Sequence, residues 1–219
     1  MTNKTSKYYV HESKYWKNKN AVVLGLDEAG RGCWAGPLVV AGCILPVGYR
    51  NDLIKDSKQL SIKQREELFE QLTNDPNIKY SIQFVPAEVV DKLNPKQATL
   101  EAMYQIIEEI IPSPTIALID AEKLPKAKIK TVSIIKGDSK SISIAAASIL
   151  AKVSRDPYMT QMAKTYPEFS FSKHKGYGTM KHVNELNKVG PIVGFHRFSY
   201  QPIQNVLAVL DKKRAAKKK

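Results

Sequence analysis

The run GLDEAGRGCWAGPLVVAGCIL, Gly25 to Leu45, sets two adjacent carboxylates and a glycine-arginine-glycine turn between two apolar stretches. Ala21 to Leu26 (AVVLGL) is short, branched and apolar, the composition of a buried strand, and Asp27 and Glu28 fall where that strand is expected to end. Pro37 to Leu45 (PLVVAGCIL) returns as a second strand, after a turn too rich in glycine for an ordinary hairpin loop. Gly30 and Gly32 let backbone N–H groups come close to a ligand, and Arg31 carries a planar fork of donors suited to phosphate. Acids beside a phosphate-type turn point to metal ions bridging protein and phosphodiester; the ordinary alternative is an Asp-Glu pair in a solvated loop. Holding two divalent ions takes more than two carboxylates, so further Asp or Glu are expected at other strand ends.

Working outward, Asp120 ends the short apolar run Thr115 to Ile119 (TIALI), as Asp27 ends the first strand. Thr131 to Ile135 (TVSII) is a further strand running into Lys136 to Ser141 (KGDSKS), which places Asp138 just before a helix start. There it gains from the positive end of the helix dipole, and a plain N-cap is its competing role. From Ser141 to Asp156 small and branched residues recur with helical spacing at Ile142, Ala145, Ile149 and Val153, and so much alanine allows close packing on a sheet. Pro157 punctuates the chain after it. Ser61 and Gln64 form a capping-box pattern ahead of a helix carrying Leu68, Phe69 and Leu72. Lys79 to Val85 reads as a strand, Gln97 to Ile111 as an amphipathic helix stopped by Pro112, and Met180 to Val189 and Pro202 to Leu210 as short helices. Strands interleaved with helices, the first two joined by a tight turn, make this an α/β chain with a mixed sheet.

Tyr177 stands between two glycines in a basic setting, where an exposed ring can stack on a sugar or base. Lys58 and Lys136 are candidate phosphate contacts, a solvated position being the ordinary alternative for any single lysine. His174, His182 and His196 show no zinc-ligand spacing and are compatible with phosphate contact or with a plain surface position.

The net charge of +13 over 219 residues favours a polyanionic partner. Most of it is at the ends: residues 1–20 and 211–219 together supply +9, leaving +4 for the body. We therefore expect a basic polar extension over 1–20, a catalytic domain over 21–210 and a Lys-rich tail over 211–219. Cys33 and Cys43 form neither a disulfide framework nor a zinc pair, which fits a reducing cytoplasm. No run approaches the roughly 20 apolar residues that span a bilayer, and the N-terminus lacks a signal-peptide core.

The pieces LDEAGRG, AGPLVVA, DSKQLS, LIDA, KGDSKSISIAAASILAKVSRD, HKGYGT and HRFSYQP occur in an order that resembles ribonuclease HII, the type 2 ribonuclease H, over roughly residues 22–202. The resemblance implies an RNase H-like fold: a mixed five-stranded sheet flanked by helices, with a small helical C-terminal part. It implies an endonuclease that hydrolyses the RNA strand of RNA–DNA hybrids and incises 5′ of single ribonucleotides in duplex DNA. It implies two divalent ions, Mg²⁺ or Mn²⁺, on Asp27, Glu28, Asp120 and Asp138, and products ending in 5′-phosphate and 3′-hydroxyl. The family's turn that reads the 2′-hydroxyl and nearby phosphates falls on Gly30, Arg31 and Gly32, and its junction-sensing tyrosine on Tyr177. The sister family, ribonuclease HIII, carries GTG at that turn and usually an added N-terminal domain, for which the twenty residues before the first strand leave no room. Cys33, Trp34 and Lys96 depart from what relatives often carry, away from the four acids.

A monomer acting on nucleic acid is expected. The rivals are a general metal nuclease or junction resolvase on the same fold, and a hybrid-binding protein without catalysis. Gln204, Leu207 and Leu210 have a spacing compatible with a sliding-clamp-binding peptide and equally with an ordinary amphipathic helix.

Overall fold

Val23–Ala29 (β1) is buried along nearly its whole length, as an apolar strand covered on both faces must be. In this computed structural model, residues 7–54 and 57–216 are described. Ahead of β1, residues 7–16 of the stretch expected as a polar extension form a 3₁₀ turn and the short helix α1, Val10–Tyr15. Tyr9, Glu12 and Trp16 are buried there, and Glu12 accepts hydrogen bonds from the Ser141 hydroxyl and from the Ser143 N–H.

After β1 come β2 (Leu38–Ile44), α2 (Ile62–Asn74), β3 (Lys79–Val85), α3 (Ala87–Leu93) and α4 (Pro95–Glu109). Then follow β4 (Ile116–Asp120), β5 (Lys130–Ile134), α5 (Ile142–Thr165), α6 (Phe171–His174), α7 (Met180–Val189) and α8 (Gln201–Ala216). The five strands form one mixed sheet in the order β3-β2-β1-β4-β5. From β1 out to the β5 edge it is parallel: β1 runs beside β4 with Leu26 opposite Ile119, and β4 beside β5 with Asp120 opposite Ile134.

Local chemistry explains several boundaries. At the start of α2 the Ser61 hydroxyl accepts the Gln64 N–H and the Gln64 side chain accepts the Ser61 N–H, closing the capping box. At the start of α5 the cap is Ser141, whose hydroxyl accepts the Ile144 N–H at 3.2 Å. Asp138, for which capping was the competing role, sits instead in a 3₁₀ turn, Gly137–Ser139, ahead of that cap. Nor does Pro157 end α5. The helix carries it inside and continues to Thr165, with Arg155 and Met159 fully buried on either side of it.

The chain divides into two compact units. The first holds β1, α2, β4, β5 and α5 as far as Val153. Here α5 lies so near β1 that a Cβ on Gly25 would sit 2.1 Å from the backbone carbon of Ser143, so only glycine fits. The second holds residues 30–39, α3, the remainder of α5, α6, α7 and α8. Its core is aromatic, with Phe169, Phe171 and Phe195 packed against Met159, Leu186 and Ile203.

Candidate metal centre and substrate contacts

Parallel pairing brings the first two acids together. Leu26 and Ile119 are opposite one another, so the next residue on each strand, Asp27 and Asp120, arrives level on neighbouring strands and on the same face. Asp138 arrives from the turn after β5. That turn is tied to β4, because the Gly137 N–H donates to Asp120 Oδ1 at 2.7 Å. One carboxylate oxygen from each of Asp27, Asp120 and Asp138 lies within 4.8 Å of the other two.

Two of these carboxylates are nearly out of water, Asp27 at 5% and Asp138 at 4% exposure. The Asp27 carboxyl is held well above the usual carboxylate range, by burial first and then by the charges of Glu28 and Asp120. Hydrogen bonds from the Ser148 hydroxyl and from the Glu28 N–H, the latter at 2.7 Å, oppose that rise. Crowded, buried oxygen donors of like charge, with no thiolate or imidazole in the set, fit a hard divalent cation. Glu28, expected as the fourth acid, is next on β1 and half-buried; its charge acts on Asp27, but its carboxylate is not part of the three-oxygen group.

Behind Asp27 stands a pair of hydroxyls that sequence reading did not single out. Ser57, in the DSK segment, and Ser148, on α5, are buried with their oxygens 2.9 Å apart. Each hydroxyl has one proton, so with the Ser148 proton on Asp27 it is Ser57 that donates to Ser148. Neighbouring Lys58 lies in the 3₁₀ turn Ser57–Gln59, but its side chain falls outside the described residues. Lys136 is exposed, in a left-handed conformation with φ 55°.

In the second unit, Gly30 is buried, Arg31 half-buried and Gly32 exposed. Tyr177 is 40% exposed, with the Arg155 guanidinium 5.8 Å from its ring centre. Burial, followed by contact with Cys33, pushes its hydroxyl up to about 12. His174, His182 and His196, compatible in sequence with a plain surface position, are all buried and joined to one another, through ring stacking and a hydrogen bond.

The family model described as Ribonuclease HII matches residues 24–203. The chain belongs to the ribonuclease HII family. It is 46% identical over 195 residues to Ribonuclease HII of Chlamydia muridarum (strain MoPn / Nigg), covering 89% of both chains. The fold is similar to that of ribonuclease H2 from Pyrococcus horikoshii OT3, with TM-score 0.73 and 24% identity over 87% of this chain and 99% of that one. It is also similar to RNase HII of Archaeoglobus fulgidus, solved as a complex with PCNA, with TM-score 0.69 and 28% identity over 82% of this chain and 95% of that one. As a ribonuclease HII, the chain is a metal-dependent endoribonuclease acting on RNA–DNA hybrids. No described helix is long and apolar enough to cross a membrane.

Proposed function

We propose that this ribonuclease HII also incises duplex DNA on the 5′ side of a single embedded ribonucleotide, leaving a 3′-hydroxyl upstream and a 5′-phosphate on the ribonucleotide. The observation that carries the reading is the meeting of Asp27, Asp120 and Asp138 oxygens within 4.8 Å of one another. With Glu28 these acids would hold two divalent ions, Mg²⁺ or Mn²⁺, which would supply an activated water and stabilise the leaving 3′-oxygen.

The chain's own residues do the rest. Asp27, central in the sheet and braced by Ser148, would be held firmly as a ligand to the ions. Asp120 and Asp138 approach it from β4 and from the turn after β5, so each ligand is held by a different piece of rigid backbone. Gly30, Arg31 and Gly32 contact the ribonucleotide, where the 2′-hydroxyl is the group that separates RNA from DNA. Tyr177 stacks on a sugar beside it, and Lys58 neutralises a phosphate. Contacts of this kind position the duplex without reading its bases, so cleavage is indifferent to sequence. We place the protein in the cytoplasm, working as a monomer.

The test is a DNA duplex bearing one ribonucleotide, incubated with protein and each metal, with the cut mapped to the nucleotide. Cleavage 5′ of the ribonucleotide is expected; equal cleavage of an all-DNA duplex, or no cleavage of the single-ribonucleotide duplex, overturns the proposal. A relative solved with PCNA keeps a sliding-clamp partner in view. In this chain Leu207 and Leu210 pack against the aromatic core of the second unit, which is the work of an amphipathic helix. A clamp contact through them requires their release, and a pull-down with the clamp decides it.

A further inference from the structure

The carbonyl oxygen of Arg31 accepts two hydrogen bonds, from the Tyr200 hydroxyl at 2.6 Å and from Arg197 Nη1 at 2.8 Å. Arg197 is itself fully buried and anchored: Nε and Nη2 donate to the Gly36 carbonyl at 3.3 and 3.0 Å, and Nη1 also reaches the Tyr200 oxygen at 2.9 Å. A carbonyl held by two anchored donors cannot rotate freely. The peptide that follows it is planar and is not among the cis bonds of the described chain, so the Gly32 N–H points opposite to the Arg31 carbonyl. It faces away from Arg197 and Tyr200.

The two glycines of the turn differ in what requires them. Gly30 has φ +86°, and a Cβ there would fall 2.0 Å from Arg155 Nε, so the fold itself demands glycine. Gly32 has no left-handed φ, and a Cβ on it would meet nothing within 4 Å. Neither backbone conformation nor packing calls for glycine at 32. Close approach of a ligand to the backbone would call for it.

We infer that Arg197 and Tyr200 are positioning residues: by gripping the Arg31 carbonyl they aim the Gly32 N–H outward as a donor to the 2′-oxygen of the ribonucleotide, and so set the preference for ribose over deoxyribose. The inference rests on the reading that the Gly30-Arg31-Gly32 turn touches the ribonucleotide. It adds a cause for that preference in residues that themselves need not touch substrate.

The experiment compares the native protein with Gly32→Ala, Tyr200→Phe and Arg197→Lys. Binding is measured in EDTA, where nothing is cut, to a DNA duplex with one ribonucleotide and to the same duplex without it. The readout is the ratio of the two affinities, because a loss of structure alone weakens both and leaves the ratio in place. Gly32→Ala keeps the N–H but sets a methyl in the path of the ribose, and Tyr200→Phe loosens the carbonyl that aims it; each is expected to lower the ratio by about tenfold, the scale of one well-made hydrogen bond. Thermal midpoints and Mn²⁺ titrations of both variants stay near native values. An unchanged ratio in Gly32→Ala overturns the reading of the turn and the inference with it. A ratio lost in Gly32→Ala but kept in Tyr200→Phe overturns the clamp and leaves that reading standing. If Tyr200→Phe melts early, Arg197→Lys takes its place under the same criterion, since lysine keeps the charge but not the fork of donors.

Discussion

His182 Nε2 and His196 Nε2 lie 3.0 Å apart, and their other partners settle which ring gives the proton. The Ile192 N–H donates to His196 Nδ1 at 2.9 Å, so His196 carries its proton on Nε2 and donates to His182. His182 therefore carries its own proton on Nδ1, 3.0 Å from the Tyr177 carbonyl oxygen. His174, stacked on His182 with centroids 4.3 Å apart, receives the Gly176 N–H at Nδ1 and donates from Nε2 to Glu185 at 2.9 Å. All three rings are neutral, and a second proton on any of them would face a donor. The group grips the backbone on both sides of Tyr177's turn.

Acid should loosen this part of the molecule. Burial first, and then the neighbouring ring, holds His182 down to about 4 and His196 down to about 3. Unfolded histidines take up protons near pH 6.5, so the unfolded chain binds more protons below that pH and stability falls as pH drops through the interval. The expected slope approaches about 1.4 kcal/mol per pH unit for each of the two rings between pH 6 and pH 4. Thermal melts across that range measure it, and a flat profile would show that the folded rings accept protons. At pH 7, nitrogen-15 spectra should show Nε2–H for His174 and His196 and Nδ1–H for His182.

Divalent ions should stiffen the first unit. At a hundred times its dissociation constant a bound ion adds about 2.7 kcal/mol, which for a chain of this size raises the midpoint by about 5–10 °C. Asp27→Asn removes one of the crowded buried charges, so the metal-free variant melts no lower than the native protein and gains nothing from Mn²⁺. Turnover falls more than about 100-fold, since several kcal/mol of charge stabilisation is lost. Hybrid binding in EDTA is retained; its loss in a folded variant would contradict this division of labour.

Ser148→Ala removes the donor that steadies Asp27 and leaves the Ser57 hydroxyl without its acceptor. Partners one step behind a ligand typically matter by about 10–100-fold in metal affinity or activity. We expect the Mn²⁺ midpoint to rise by about tenfold with maximal turnover largely kept at saturating metal. A variant whose metal titration overlays the native curve would assign the two serines to packing alone.

Gly25→Ala tests the approach of α5 to β1. The added methyl meets the Ser143 and Ile144 backbone at 2.1–2.5 Å, and a backbone cannot swing aside as a side chain can. The expected cost exceeds about 3 kcal/mol, the upper end for ordinary overpacking. It should appear as a large fall in midpoint or as insoluble protein.

Local chemistry made much of this legible beforehand. The bounds of β3 and α7 and the capping box at Ser61 follow from patterns within a few residues. What escaped depends on contacts across the chain. Pro157 reads as a stop, but buried Arg155 and Met159 hold their helix together through it. Helix α3 is seven residues long between Pro86 and Asn94, too short to display a period. Among the acids, Asp27, Asp120 and Asp138 were visible as strand-end or turn carboxylates; the separate place of Glu28 was not, since two neighbours on a strand look alike in sequence. The histidines stand among lysines and read as ambiguous, because the groups that make them a buried network, the Ile192 N–H and the Tyr177 carbonyl, are backbone atoms brought in by folding. Arg197 and Tyr200 were noticed only as part of a motif, for the same reason.

The three clustered acids ride on β1, on β4 and on the turn after β5, and their brace, Ser148, stands on the helix beyond. A polypeptide emerging from the ribosome presents Asp27 early and the remaining partners much later. Until Asp138 has been synthesised and β4 has docked beside β1, the three carboxylates cannot meet. Nuclease activity is thus withheld from the nascent chain, and truncated translation products that stop short of Asp138 should be harmless to nucleic acid.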